Sequence, residues 1–254
     1  MLNEQAHEKL IKMKLFGMAR SFKERLSRID HQGLSITELF GLVVDDEYLD
    51  RENRKLTARL KVARFKERTA CLENIDYATA RGLRKEQILE LAQHRWIGAH
   101  HNIVITGPSG SGKSFLAQAL AEHACRGGYA VQYLRLPTLL QQFIEARAQG
   151  TYVQHLKRLG KLSVLLIDDL GLSKVTEAQT QDLLEALEER YGTGSIIVTS
   201  QLPVSDWHEY LGGGRIADAI LDRLIHNAHR IELDARDSMR KSRSPLKHGG
   251  HSAK

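Results

Sequence analysis

This chain is sparing with the residues that staple or stiffen a fold. Its 254 residues include two cysteines, four prolines and 6% aromatics. Cys71 and Cys125 cannot build a disulfide framework or a thiolate metal cluster, so a reducing cytoplasm is the expected setting. No apolar run approaches the roughly 20 residues that span a bilayer, and the N-terminus lacks a signal peptide's apolar region, so no membrane association is expected. There is no internal repeat. What remains is an ordinary globular composition, with 42% hydrophobic residues and a mean hydropathy of −0.36. The length accommodates one large domain, or a medium domain with a small one.

Acidic residues are scarce in two places. The formal net charge is +6. Residues 51–70 hold eight Lys/Arg against two acids, and residues 235–254 hold six against one. These two patches together exceed the surplus of the whole chain, so the remainder is mildly acidic. Basicity gathered into patches points to the phosphates of a nucleic acid.

The first seventy residues contain no proline and read as helices. Leu10, Ile11, Leu15, Met18, Phe22 and Leu26 recur at helical spacing, and His31-Gln32-Gly33 interrupts the pattern. Ser35-Ile36-Thr37-Glu38 has the form of a capping box opening a second helix. A third helix is expected from about Tyr48 to Arg68. There Leu49, Leu56, Leu60 and Ala63 share one face, while Arg51, Arg54, Lys55, Arg59, Lys61, Lys66 and Arg68 spread over the other, with Arg64 to one side. Such a basic amphipathic helix suits the backbone of DNA.

From about residue 71 the pattern changes. Residues 69–77 read as a linker, and 84–96 as a helix ending at Trp96. Apolar strands at 102–106, 130–134, 164–168, 195–199 and 229–233 then alternate with helices, which predicts a parallel sheet covered on both faces. The expected division is a helical DNA-binding domain at 1–70, a linker and leading helix at 71–97, a nucleotide-binding core at 98–241, and a flexible basic tail at 242–254.

Between the first strand and the helix after it lies Gly107-Pro108-Ser109-Gly110-Ser111-Gly112-Lys113-Ser114, which fits the P-loop pattern in the strand–loop–helix context that pattern needs. Glycines let successive N–H groups turn inward around phosphate oxygens, and the helix N-terminus favours an anion. Lys113 is expected to reach the β- and γ-phosphates of ATP, and the Ser114 hydroxyl to hold Mg²⁺. The strand at 164–168 supplies the acidic partner. Asp168 is placed to coordinate Mg²⁺ through water, and Asp169 to orient or deprotonate the attacking water. The next strand ends in Thr199, Ser200 and Gln201, any of which could sense the γ-phosphate. After Gly212-Gly213-Gly214, either Arg215 or Arg223 could serve as an arginine supplied to a neighbouring subunit. From spacing alone Arg223 could equally pair with Asp218 or Asp222. Arg240 is a further candidate for touching phosphate.

Taken together, these segments resemble the IstB/DnaC-like branch of the AAA+ ATPases, and within it the IstB helper proteins of bacterial insertion sequences. The matching stretches are GPSGSGKSFLAQALAEHACRGGYAV, LLIDDLGLS, IIVTSQLPVSDWHEYLG and IADAILDRLIHNAHRIEL, with LFGMARSF and DDEYLDRENRKLTARLKVARF in the helical part. The resemblance covers about residues 5–241. It implies an α/β protein with a P-loop AAA+ core, a five-stranded parallel sheet flanked by helices, a small all-α N-terminal domain and no full C-terminal lid. It also implies an ATPase using ATP and Mg²⁺ that assembles as a homo-oligomer on duplex DNA and stimulates a transposase. Arg223 becomes the trans-acting arginine, Asp76 and Tyr77 lie near the adenine, and Arg51, Arg54, Lys55, Arg59, Lys61 and Lys66 bind DNA. Ser109 and Ser111 replace the commoner Pro or Thr, and Gln201 stands where related ATPases often have Asn. Two alternatives share the core: a replicative helicase loader of the DnaC type, and a nucleotide-dependent DNA scaffold with little turnover. A loader's N-terminal domain would bind protein, whereas Arg51, Arg54, Lys55 and Arg59 look built for phosphate. A small-molecule kinase would need a substrate pocket and lid that the sequence does not offer.

Overall fold

The computed structural model describes residues 2–27, 34–79 and 81–234. The chain divides into two compact units, the first ending at Lys61 and the second beginning at Val62.

The first unit contains α1 (Leu2–Lys12), α2 (Phe16–Ser27) and most of α3 (Ile36–Ala63). The apolar spacing from Leu10 to Leu26 is not one helix but two, because Lys14 adopts a left-handed φ of 60°. Ser35 and Glu38 form the expected capping box. The Ser35 N–H donates to Glu38 Oε2 at 2.7 Å, and the Glu38 N–H to Ser35 Oγ at 3.2 Å. The expected second and third helices prove to be the single helix α3. It stops at Ala63, where Arg64 turns left-handed with φ 57°. Arg64, Lys66 and Arg68 therefore lie beyond the helix and not on its basic face. α2 crosses α3 at Gly17, where a Cβ would stand 2.6 Å from Asp46 O and 2.7 Å from Glu47 Cα, so only glycine lets the helices approach this closely.

The second unit is a five-stranded parallel sheet, made of β1 (Asn102–Thr106), β2 (Val131–Arg135), β3 (Val164–Leu170), β4 (Ser195–Ser200) and β5 (Ala228–Glu232). The order is β2-β3-β4-β1-β5. The expected strands are all present, displaced by at most one residue at their starts. The central strands β1 and β4 are buried along their whole length, which is why they read as unbroken apolar runs. Edge strand β5 is less covered, with Ile231 its buried residue.

Successive side chains point to opposite faces. Val104, Leu165, Ile167, Ile196 and Val198 point one way, into a core with Leu139, Phe143, Leu183, Leu187, Ile220 and Leu224. Those partners come from α7 (Leu136–Ala148), α9 (Glu177–Glu188) and α11 (Gly214–Ile225). Tyr152 and Leu159 of α8 (Tyr152–Gly160) and Trp207 of α10 (Trp207–Tyr210) complete that layer. Ile103, Ile105, Leu166 and Ile197 have the opposite parity and are also buried. They face the layer of α6 (Lys113–Arg126), which packs against β1 to β4. Before the sheet, the helix expected over 84–96 is broken into α4 (Lys85–Leu91) and α5 (Arg95–Gly98) by His94, whose φ is 60°. Among the described residues no helix is long and apolar enough to cross a membrane.

Candidate nucleotide site

The C-terminal ends of β1, β2, β3 and β4 converge on one place, which is where parallel α/β sheets hold ligands. β1 delivers the P-loop. Gly107 has φ +145°, and a Cβ there would stand 2.2 Å from the Leu233 carbonyl oxygen, so the loop's entrance requires glycine. Gly110 and Gly112 also take positive φ, and Gly112 leads directly into α6. Pro108 and Ser109 form the exposed rim, while Ser111 and Lys113 are buried. Lys113 Nζ donates across the loop to Pro108 O at 2.8 Å.

β3 brings the acids, through a bulge. Ile167 pairs with Val198 and Leu170 with Ser200, leaving Asp168 and Asp169 together opposite Thr199. Asp169 takes up the extra residue with φ 65°, a conformation that aspartate tolerates better than most residues. Asp168 is 2% exposed and accepts three hydroxyl donors. These are Ser114 Oγ at 2.8 Å, Tyr133 OH at 3.0 Å, and Thr199 Oγ1. Burial, and then the neighbouring Asp168 charge, push the Tyr133 phenol well above its ordinary value, so it remains a donor. Asp169 is more open. Its Oδ2 accepts from Arg135 Nε at 2.7 Å, and its N–H donates to Thr199 Oγ1 at 3.1 Å. One threonine hydroxyl thus ties both acids to β4.

Thr199, Ser200 and Gln201 are separated by this geometry. Thr199 faces the acids. Ser200 is fully buried, donates to Leu170 O at 2.7 Å and accepts from the Leu202 N–H at 3.0 Å, so it closes the strand ends. Gln201 is exposed.

The donor set suits Mg²⁺. The Ser114 hydroxyl and the Asp168 carboxylate are hard oxygens already in contact, with Asp169 beside them. Among the described residues no group of three or more His, Cys, Asp or Glu could enclose a metal. Two protein oxygens leave room for phosphate and water, which is how Mg²⁺ is usually held beside a nucleotide.

The loop before the sheet is fastened to the P-loop by Arg81, a residue that sequence spacing did not single out. Its Nη1 donates to Ser111 O and its Nη2 to Asp76 O, each at 2.9 Å. The Asp76 carboxylate itself folds back onto Ala78 and Thr79. The half-buried Tyr77 lies with Lys85 over its ring at 5.9 Å. Tyr133 and Arg135 were also missed. The usable signal was a charged residue directly after an apolar strand, at Arg135.

Arg223 lies at the other end of the sheet. Asn102, at the start of β1, donates to the Arg223 carbonyl at 2.7 Å. The P-loop begins after the far end of β1, about 16 Å away along five residues. Arg223 therefore cannot reach its own P-loop. Its guanidinium pairs with Glu188 of α9 at 2.8 Å and donates to Ala219 O, not to Asp218 or Asp222. Arg215 is exposed, at the start of α11, after three glycines that all have positive φ. Arg240 lies outside the described residues.

On α3 the cations are largely engaged. Arg51 and Arg54 pair with Glu47 at 2.6 and 3.7 Å, Arg54 also with Asp50 at 2.8 Å, and Lys55 with Glu52 at 2.8 Å. Arg59 is half-buried and Lys61 exposed.

A parallel sheet of this order, with a P-loop after β1 and an acidic pair at the end of β3, defines an ATP-binding P-loop core with the AAA+ fold. The fold agrees with solved structures. The replication initiator DnaA bound to AMPPCP and single-stranded DNA superposes with a TM-score of 0.56 at 21% identity, covering 69% of this chain and 53% of that one. The DnaC helicase loader gives 0.51 at 17% identity, covering 58% and 86%. Residues 8–246 match the IstB-like ATP binding protein family, and the chain belongs to that family. A relative from Sinorhizobium fredii, described as an insertion sequence ATP-binding protein, is 45% identical over 96% of this chain and 99% of its own. The ATP-binding protein of insertion sequence IS1162 from Pseudomonas fluorescens is 40% identical over 81% and 89%.

Proposed function

We propose that this protein is the ATP-hydrolysing helper of a DNA transposition system, which assembles on duplex DNA as a homo-oligomer and stimulates a transposase. The observation that carries the reading is the Ser114–Asp168 contact at 2.8 Å, which joins the P-loop helix to the acidic strand at the C-terminal edge of the sheet. Membership of the IstB-like family favours the transposition helper over a helicase loader, for which the likeness is one of fold.

In this reading the inward-turned N–H groups of residues 107–114 and the Lys113 ammonium hold the triphosphate of ATP. Ser114 and Asp168 would hold Mg²⁺, which supplies neutralisation of phosphate charge when bound. Asp169 orients the attacking water, once Arg135 no longer occupies its Oδ2. Thr199 keeps both acids in register and is the residue of 199–201 best placed to respond to the γ-phosphate, with Ser200 and Gln201 supporting the strand end. Arg223 acts on the site of the next subunit, since its own is out of reach. Asp76 and Tyr77, held to the P-loop by Arg81, border the adenine. Arg51, Arg54, Lys55, Arg59 and Lys61 contact DNA phosphates, with Lys66 nearby in sequence.

The test is ATP turnover by the full chain with and without duplex DNA, alongside sedimentation. DNA-stimulated turnover and multimers requiring both ATP and DNA are expected. Assembly with no turnover would indicate a scaffold, and absence of both would sink the reading.

A further inference from the structure

Gln118 is an amide in an apolar place. It sits on α6 among Leu116, Ala117, Ala119, Leu120 and Ala121, all buried, and is itself 0% exposed. A buried amide is costly unless both of its ends are paired. Here both are. Nε2 donates to the Ser114 carbonyl at 3.1 Å, one helical turn back. Oε1 accepts from the Lys66 N–H at 2.8 Å and the Glu67 N–H at 2.9 Å. One carbonyl on one side and two N–H groups on the other fix which way round the amide lies.

The two groups it joins are functionally distinct. Ser114 is in the first turn of the P-loop helix, and its hydroxyl touches Asp168. Lys66 and Glu67 belong to the short segment that leaves α3 after the left-handed Arg64.

We propose that Gln118 couples the nucleotide site to the basic helix. The turn containing Ser114 sets the position of the amide, and the amide sets the hold on the peptide through which α3 joins the ATPase unit. Gln118 is a positioning residue that acts through Ser114 and the 66–67 backbone. The proposal rests on the reading that α3 contacts DNA and that ATP binds the P-loop.

The test uses the full chain and two variants. In the unaltered protein, amide hydrogen exchange at residues 66–67 should slow when a slowly hydrolysed ATP analogue is added, with no DNA present. Gln118→Met keeps the volume and removes both bonding ends. It should speed exchange at 66–67 by about tenfold, erase the response to nucleotide, leave ATP affinity within about twofold, and bring the DNA stimulation of turnover to about one. Gln118→Glu, measured at alkaline pH where its carboxylate is ionised, keeps the acceptor and loses the donor to Ser114. It should recover slow exchange without the response to nucleotide, which a merely structural staple would not do. If exchange at 66–67 in the unaltered protein ignores the nucleotide, or if Gln118→Met keeps full DNA stimulation, the proposal is overturned. Should Gln118→Met fail to fold, the exchange measurements on the unaltered protein and on Gln118→Glu decide alone. A protein that binds ATP but shows no DNA-stimulated turnover would refute the proposed function and leave the exchange result standing.

Discussion

Arg135 Nε donates to Asp169 Oδ2 at 2.7 Å, across the adjoining ends of β2 and β3. The bond raises the Arg135 guanidinium above its ordinary value and occupies an oxygen that a water-orienting carboxylate would use. The Arg135 side chain is 42% exposed, so the pair holds no more than about 1 kcal/mol. Arg135→Gln should therefore raise basal ATP turnover by up to about fivefold with ATP affinity unchanged. Asp169→Asn should keep ATP bound and slow turnover by about 10²-fold or more. Single-turnover assays beside nucleotide titrations distinguish the two, and a fall in turnover for Arg135→Gln would count against a restraining role.

Thr199→Val removes the hydroxyl that joins Asp168 and Asp169. A buried carboxylate and a backbone N–H each lose a partner, at a cost of about 1–3 kcal/mol. Stability to urea should fall accordingly, and Mg²⁺-dependent ATP binding should weaken. Unchanged values of both would mean that the bulge holds the acids without help from β4.

Arg223→Ala should slow turnover by about 10³-fold while sparing ATP binding. Lys113→Ala should lose ATP binding. Mixing the two inactive variants should restore measurable turnover, because a Lys113→Ala subunit still presents Arg223 to the intact P-loop of its neighbour. A mixture no more active than its components, in assemblies that sedimentation shows to contain both variants, would show that Arg223 does not act across subunits.

Arg51, Lys55 and Arg59 changed together to Glu should weaken binding to any DNA sequence. The slope of log affinity against log salt should become shallower by up to about 2.7. The full value is an upper limit, because Arg51 and Lys55 already pair with Glu47 and Glu52 and must exchange a carboxylate for a phosphate. Affinity measured from low to moderate salt checks this, and an unaltered slope would make α3 a solvated face.

Burial holds His94, His155 and His229 below the usual imidazole range, with the nearby His123 charge adding to the effect at His94. Well above pH 6.5 these rings are neutral in both the folded and unfolded states, and their titration has no effect on stability. As pH falls below 6.5 the unfolded chain takes up protons first, so stability drops until the lower folded values are passed. Melting temperature should decline from pH 7 towards pH 5. His94→Asn suits the left-handed backbone at that position and should make the decline shallower. An identical decline in the variant would exclude His94 as a source.

Much of the fold was legible because its signals are local. Glycine spacing at 107–114, apolar runs such as Val164–Ile167, and the Ser35–Glu38 box each act within a few residues. Where the reading erred, the missing information was a single backbone torsion. Left-handed Lys14, Arg64 and His94 end or divide helices that apolar periodicity continues through. The long side chains of Lys14 and Arg64 seldom adopt that conformation, so their residue types give no warning, whereas histidine adopts it more often and His94 carried a weak one.

The sequence by itself determined that a P-loop stands between a strand and a helix, that two acids end a neighbouring strand, and that basic charge gathers before the sheet. Those are properties of order and spacing along the chain. Only the tertiary structure decided which oxygen meets which hydrogen. It placed Tyr133 and Thr199 on Asp168, Arg135 on Asp169, Arg81 on Ser111, and Arg223 at the far end of β1. Strand order and the bulge at Asp168–Asp169 set those meetings, and both arise from pairing between residues about thirty or more positions apart, which no local pattern encodes.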